Sequence, residues 1–352
     1  MIHSTSIPVI AVVTSSPPSV EGGHLVIARS LVRALSAAGH DAHLVITPDH
    51  GFGRQASEYL ATWRTDVSTI DGRAVDRVIS LRYPSYAVRH PVHVCWLNHT
   101  MREYYDLWPE LVASISWPNL IKERLRKVSI HAADHWLLTH NVRRVVAQSQ
   151  TIQRRLAADF GIRADVVYPP PPPRRYRCDE YGDFIFAISR LTRHKRVDLL
   201  IRALAEASAG HVKAVIAGEG DARQELETLA RALGVSDRVA FIGHVDEQTM
   251  LDHLARCRAV CFTPIAEDYG FVTVEAFASR KAAITCADSG GPTELVKDDD
   301  TGVVCEPTPA SVAIALARLS DDRALAERLG ANAAARVASM RWDVVVQRLL
   351  LI

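Results

Sequence analysis

Short β-branched runs alternate with amphipathic helical patterns in two successive series, and this alternation limits the folds open to the chain. The first series reads IPVIAVVT (7–14), DAHLVIT (41–47), RVISLR (77–82), HVCWL (93–97), HWLLTH (135–140), RVVAQS (144–149) and ADVVYP (164–169). The second reads FIFAIS (184–189), KAVIAG (213–218), VAFIG (239–243), AVCFTP (259–264), AAITCA (282–287) and GVVCEP (302–307). Between the first two runs of the first series, Ile27, Leu31, Ala34, Leu35 and Ala38 recur at helical spacing, and Gly39 stops the helix. In the second series Val197, Leu200, Ile201 and Leu204 do the same. Strands alternating with helices call for a parallel sheet covered on both faces. Two series predict an α/β chain of two doubly wound domains.

Between the series lies VVYPPPPPRRYR (166–177), with five consecutive prolines, Pro169 to Pro173. Proline fixes φ and lacks a backbone donor, so this run continues neither a helix nor a sheet. Its place between two domains reads as a stiff joint, with a ligand for a proline-reading partner as the alternative. The expected organisation is 1–168 as a first Rossmann-like domain, 169–177 as the joint and 178–338 as a second, nucleotide-binding domain. Residues 339–352 form a closing helix with Trp342, Val345, Val346 and Leu349 on one face, which needs cover and is expected from the first domain.

Composition excludes several classes. Charged residues make up 23 % and the net charge is +1, so no global field points to nucleic acid. Apolar runs fall short of the roughly 18–20 residues of a membrane span. The start of the sequence does not read as a secretory signal. Six scattered cysteines without a CxxC pair read as reduced core residues of a cytoplasmic protein.

Three stretches carry chemistry. In EDYGFVTVEAFASRKAAITCADSGGPTELV (267–296), Glu267 sits in a loop and Glu275 just over a turn inside a helix expected from about Phe271 to Ser279. Both carboxylates can face the crevice at the strand's carboxyl end, and the amides near Gly270 and Phe271 suit an anion. Favourable alignment with the helix dipole accounts for the same two acids. In FAISRLTRHKRVDLLIRALA, Arg190 and Lys195 share one strand-to-helix loop, either as a phosphate clamp or as solvated surface. Gly22 and Gly23 are expected to form a tight turn before the first helix. They either let a ligand approach the backbone closely or simply bend it. The dinucleotide fingerprint GxGxxG is absent there.

Taken in order, these pieces are similar to the retaining glycosyltransferases of family 4. The pieces are a Gly-Gly loop opening a helix that ends LVRALSAAGH, SRL with Lys195 and DLLI, the E-x7-E pair with GF and EA, SGGPTE, TG with a later proline, and VVAQSQTIQRRL and VVYPP before the second domain. The five-proline joint departs from the one or two prolines common there, and with the sequence ending at Ile352 the closing helix is expected to be either short or trimmed. The resemblance implies a GT-B fold, with two Rossmann-like domains facing a central cleft. It implies transfer of a hexose from a UDP- or GDP-sugar to a glycan, lipid-linked or small hydroxyl acceptor, with retention and without a metal or further cofactor. Arg190 and Lys195 would bind the diphosphate, Glu275 both ribose hydroxyls, and Glu267 and His99 the donor sugar. Gly270, Phe271 and Val272 would hold sugar and phosphate through their amides, Gly22 and Gly23 would approach the diphosphate, and Gly243 and His244 would hold the base.

Rival readings are a GT-B sugar phosphorylase, a nucleotide-sugar epimerase and a catalytically silent sugar-nucleotide-binding protein. KDDDTG (297–302) reads as a solvated turn because it connects strands, and His131 with His135 as packing or surface, since that pair shows no third metal ligand. Finally, residues 107–127 combine Trp108, Trp117, Leu120, Lys122, Arg124, Arg126 and Lys127, a mixture found at lipid headgroups and equally in a basic helix packing on its own domain. Contact with the inner face of a membrane is therefore left open.

Overall fold

The computed structural model describes residues 7–16, 22–49 and 51–351. The chain divides into two compact units, Met1–Pro169 with Arg341–Ile352, and Pro170–Met340. The division falls inside the proline run. Of its five prolines Pro169, Pro170 and Pro172 are buried.

The first unit holds β1 (Val9–Ser16), β2 (Asp41–Pro48), the small hairpin β3 (Thr69–Ile70) with β4 (Arg73–Ala74), β5 (Arg77–Ser80), β6 (His93–Leu97), β7 (Arg144–Ala147) and β8 (Asp165–Val166). The order is β2-β1-β5-β6-β7-β8, parallel throughout. Every residue of β1 is buried, as a continuous apolar run in a doubly covered sheet requires. The helix Gly23–Ala37 buries Leu25, Ile27, Leu31 and Leu35. It ends where Gly39 turns left-handed (φ 88°) and the His40 amide donates to the Leu35 carbonyl, so Ala38 lies outside it.

One expected strand is not there. Residues 135–140 complete the long helix Trp117–Trp136 and its wider closing turn Leu137–Asn141. Leu137 and Leu138 are both buried, together with Ile130 and Asp134 on the same helix. A short apolar run cannot by itself distinguish a strand from the end of a buried helix, and here the helical period over twenty residues decides.

The closing helix Trp342–Leu350 packs within the first unit. Val345, Val346 and Leu349 are buried and Trp342 meets Trp96 edge-on at 6.2 Å. Its last carbonyls have no helical partner, and arginines supply one. Arg77 donates to the Leu350 carbonyl at 2.6 Å, and Arg144 to those of Arg348 and Leu351 at 2.8 and 2.6 Å.

The second unit holds β9 (Phe184–Ile188), β10 (Lys213–Ala217), β11 (Val239–Gly243), β12 (Ala259–Cys261), β13 (Ala283–Cys286) and β14 (Gly302–Cys305). The order is β11-β10-β9-β12-β13-β14, again parallel. The chain starts in the middle, runs out one way and returns to run out the other, so direction reverses between β9 and β12. In such sheets the crevice at that reversal, outside the carboxyl ends of the strands, is where ligands bind. The helix Val197–Leu204 buries Leu200, Ile201 and Leu204 against this sheet's core, each contributing about 1.5–3 kcal/mol. Five of the six cysteines are buried and none is disulfide-bonded.

Candidate active site

The second unit places several charged side chains at the reversal between β9 and β12. Arg190 stands exposed in the loop after β9 and forms no ion pair among the described residues. Lys195, farther along that loop, donates to Glu267 at 2.6 Å and lies 5.5 Å from the Phe262 ring centre. Arg196 ties the loop down. It donates twice to Asp288 at 2.7 Å and to the Thr263 carbonyl at 2.8 Å. The loops after β9, β12 and β13 thus form one cross-linked rim.

Glu267 belongs to the loop after β12. Its amide donates to the Ser289 carbonyl at 2.9 Å, and its carbonyl accepts from the Gly291 amide at 2.8 Å. This apposition explains Ser-Gly-Gly. A Cβ on Gly290, already left-handed at φ 72°, would lie 2.5 Å from the Glu267 carbonyl oxygen. One on Gly291 would lie 2.5 Å from Tyr269 Cα. Gly270 caps the helix Phe271–Ala278 at φ 87°, where a side chain would also strike Pro292. The amides of Phe271 and Val272 open that helix, where backbone donors lack intrahelical partners.

Glu275 lies inside the same helix and is buried. Arg174, the residue directly after the prolines, donates to its Oε1 and reaches Glu247 with its Nε at 2.9 Å. The Tyr176 hydroxyl donates to Glu275 at 3.4 Å. Burial disfavours the charged carboxylate and outweighs the attraction of Arg174, so its pKa is pushed up to about 7. Gly243 closes β11, its carbonyl accepting from the Gly218 amide at 2.7 Å, and exposed His244 follows it on the same sheet edge.

In the first unit, Gly22 and Gly23 do not make the expected tight turn. Gly22 is the extended cap (φ −137°, ψ 168°) and Gly23 the first helical residue, so the chain enters the helix directly. Residues 17–21 lie outside the described residues. His99 follows β6 at the carboxyl edge of that sheet, its Nδ1 2.8 Å from the Thr100 carbonyl.

Other singled-out groups are engaged locally. His131 has its Nε2 2.8 Å from the Tyr104 carbonyl and its ring stacked on Tyr105, while His135 is exposed. Asp298 accepts from the Val304 amide, Asp299 pairs with Arg318, and Asp300 accepts from Asn332. Of the residues singled out in the basic segment, Trp117, Lys122 and Arg124 face outward. Leu120 is buried, Arg126 pairs with Glu123 at 2.6 Å, and Lys127 sits 4.5 Å above the half-buried Trp108 ring.

Residues 174–336 match the model of the glycosyl transferases group 1. The second unit belongs to that family. An uncharacterized glycosyltransferase of Methanocaldococcus jannaschii is 27% identical over 241 residues, 62% of this chain and 61% of the relative. The chain thus spans about three-fifths of that relative's length. Among solved structures, the sucrose-phosphate synthase of Thermosynechococcus elongatus aligns over 97% of both chains with a TM-score of 0.77 at 17% identity. HepE of Anabaena, solved with UDP and glucose, aligns over 96% of both with 0.67 at 19%. Likenesses at these identities define the fold, and the fold is GT-B.

Within the group 1 unit, sequence reasoning did not find Arg174, Tyr176, Glu247 and the Arg196–Asp288 clamp. Arg174 and Tyr176 come from irregular chain about a hundred residues before Glu275, with no periodicity to reveal them. The adjacent arginines after the prolines were the one available cue.

Proposed function

We propose that this chain moves a hexose from a UDP- or GDP-sugar to a hydroxyl of a glycan, lipid-linked or small acceptor, with retention of configuration. The observation that carries the proposal is the pairing of Lys195 with Glu267 at the reversal point of a parallel sheet, with Arg190 on the same loop as Lys195 and Glu275 in the helix Phe271–Ala278. Membership of residues 174–336 in the group 1 transferases supports it, as does likeness to a protein solved with UDP and glucose.

The chemistry assigns the parts. As the anomeric carbon develops oxocarbenium character, charge accumulates on the departing diphosphate. Fixed cations aimed at that charge lower the barrier. Arg190, with no carboxylate of its own, and Lys195 fill this role without calling on a divalent ion. Lys195 pairs with Glu267, which contacts donor-sugar hydroxyls and keeps the lysine in place. Ionised Glu275 accepts both ribose hydroxyls, while Phe271 and Val272 offer amides and Gly243 with His244 meets the base. His99 is assigned to the donor sugar, and Gly22 with Gly23 to its diphosphate. Attack from the leaving-group side, with a phosphate oxygen taking the acceptor proton, leaves no need for a protein nucleophile.

Calorimetry with UDP and GDP, followed by turnover of the sugar nucleotide of whichever binds, tests the reading. Arg190→Ala or Lys195→Ala should lower turnover by about 10²–10³, the cost of one comparable oxyanion donor. The proposal fails if neither nucleotide binds, or if both variants turn over within a few-fold of the parent. Release of sugar phosphate on adding inorganic phosphate would make the chain a phosphorylase.

A further inference from the structure

Among the described residues no helix is long and apolar enough to cross a membrane. Yet the helix Trp117–Trp136 carries an apolar ridge that its own unit does not cover. Trp117 is 70% exposed, Ile121 53%, Leu125 67%, Val128 69% and Trp136 47%. Steps of four, four and three residues, with eight more to Trp136, keep them on one face of a helix. The opposite face buries Leu120, Glu123, Ile130 and Asp134 against the first unit. Both acids of the helix therefore point inward, while Lys122 and Arg124 are exposed beside the ridge.

At its C-terminal end the ridge meets a cationic pocket. The Trp136 ring lies 5.7 Å from Trp63 and 5.9 Å from His140. Those two residues line a recess of about 550 Å³ with Arg89, His90 and Arg143. No carboxylate lines it. Arg89 is fixed by its own tryptophan, Nε donating to the Trp63 carbonyl at 3.2 Å and the guanidinium 5.2 Å from the ring centre. Asp66 is the acid that senses Arg89 electrostatically, and it lies outside the recess. Arg143 is exposed and forms no ion pair among the described residues.

We propose that this face docks on an anionic phospholipid surface. The ridge enters the boundary between headgroups and acyl chains, and the recess beneath Trp136 holds a headgroup phosphate between Arg89 and Arg143. An interfacial helix needs this composition, with bulky apolar side chains and tryptophan on one face and cations beside them. A protein partner matches it less well, because the core of a protein interface is depleted of lysine and its polar rim usually carries both signs of charge. The face belongs to the first unit and does not depend on the donor-site assignment.

The test is co-sedimentation of the full chain with vesicles of phosphatidylcholine alone or mixed with phosphatidylglycerol, at low and high salt. Binding should require phosphatidylglycerol and weaken with salt. Leu125→Asp with Val128→Asp should abolish it. Arg89→Ala with Arg143→Ala should reduce it about tenfold or more. All four positions are substantially exposed, so melting temperature and nucleotide binding should be retained, which separates lost docking from lost folding. Equal binding to both vesicle types, or none to either, overturns the proposal. So does an arginine double variant that binds as the parent does, because the recess then plays no part. A stable dimer that Leu125→Asp with Val128→Asp dissolves would overturn it in favour of a second copy of the chain.

Discussion

Glu275 and Asp134 are both buried carboxylates on helices, one in each unit, and their surroundings differ in kind. Glu275 is met by the cation Arg174, itself shared with Glu247, and by the Tyr176 hydroxyl. Asp134 is met by three hydroxyls: Tyr59, Tyr86 at 2.5 Å and Tyr105 at 2.8 Å all donate to it. Burial pushes Glu275 up to about 7 and Asp134 up to about 6. A carboxylate held by three rigid core side chains has its lone pairs taken up by the fold. One held mainly by an arginine from irregular chain can exchange that partner for a ligand's hydroxyls. Perturbed pKa values accompany structural and functional acids alike, and the partners tell them apart.

The largest expected effect breaks the structural member of the pair. Asp134→Ala leaves three tyrosine hydroxyls enclosed without their acceptor. Each unsatisfied group costs about 1–3 kcal/mol, so the loss should reach about 3 kcal/mol or more. Urea unfolding of the first unit measures this, and a loss below about 1 kcal/mol would remove Asp134 from its structural role. Nucleotide affinity, measured where the variant is still folded, should stay that of the parent.

Next comes the reverse experiment. Glu275→Gln should weaken UDP or GDP itself by about tenfold or more, since hydrogen bonds to a charged group contribute about 1.5–3 kcal/mol. Its stability should change little, because Arg174 keeps Glu247. Unchanged nucleotide affinity would return Glu275 to a role in the helix alone.

How far the sequence revealed these two sites follows from where their parts lie along the chain. Arg190, Lys195, Glu267 and Glu275 each sit within a strand–loop–helix segment whose local pattern announces it, and the sheet's reversal point brings the segments together. Asp134 was invisible because its tyrosines are 75, 48 and 29 residues away. The end of its helix also carries a strand-like pattern over 135–140. The closing helix was legible as an apolar face needing cover. Arg77 and Arg144, which hold its end, are separated from it by more than two hundred residues. Local periodicity thus reports elements and short loops, while long-range polar pairing stays silent.

Titration sharpens the contrast further. Both carboxylates have folded-state values above their ordinary ones, so each favours the folded state most at low pH. That contribution fades as pH rises through about 6 for Asp134 and about 7 for Glu275. Ligand binding at Glu275 should run the other way, because only the ionised carboxylate accepts two ribose hydroxyls. Nucleotide affinity should therefore rise as pH increases through about 7, on a curve that Glu275→Gln flattens and a conservative change near Asp134, such as Tyr105→Phe, leaves in place. Calorimetry across that range gives the midpoint, and a flat parent profile would contradict the assignment.

The smallest effect concerns Arg174. It acts on Glu275 in two opposed ways: its charge favours the ionised carboxylate, and its guanidinium occupies an oxygen that ribose would use. Arg174→Ala removes both. Without the cation the carboxyl is harder to ionise, so the midpoint of the binding profile should move above 7. Each unit of such a shift corresponds to about 1.4 kcal/mol between the two protonation states. Well above the new midpoint the carboxylate is ionised in both proteins and the competitor is gone, so the variant should bind nucleotide as tightly as the parent or slightly more tightly. Below 7 it should bind less. Two binding curves that cross are the signature of a cation that tunes and shares the carboxylate. A uniform loss at every pH would instead make Arg174 a direct contact of the nucleotide, and Glu275 would then resemble Asp134 in having a partner that never leaves.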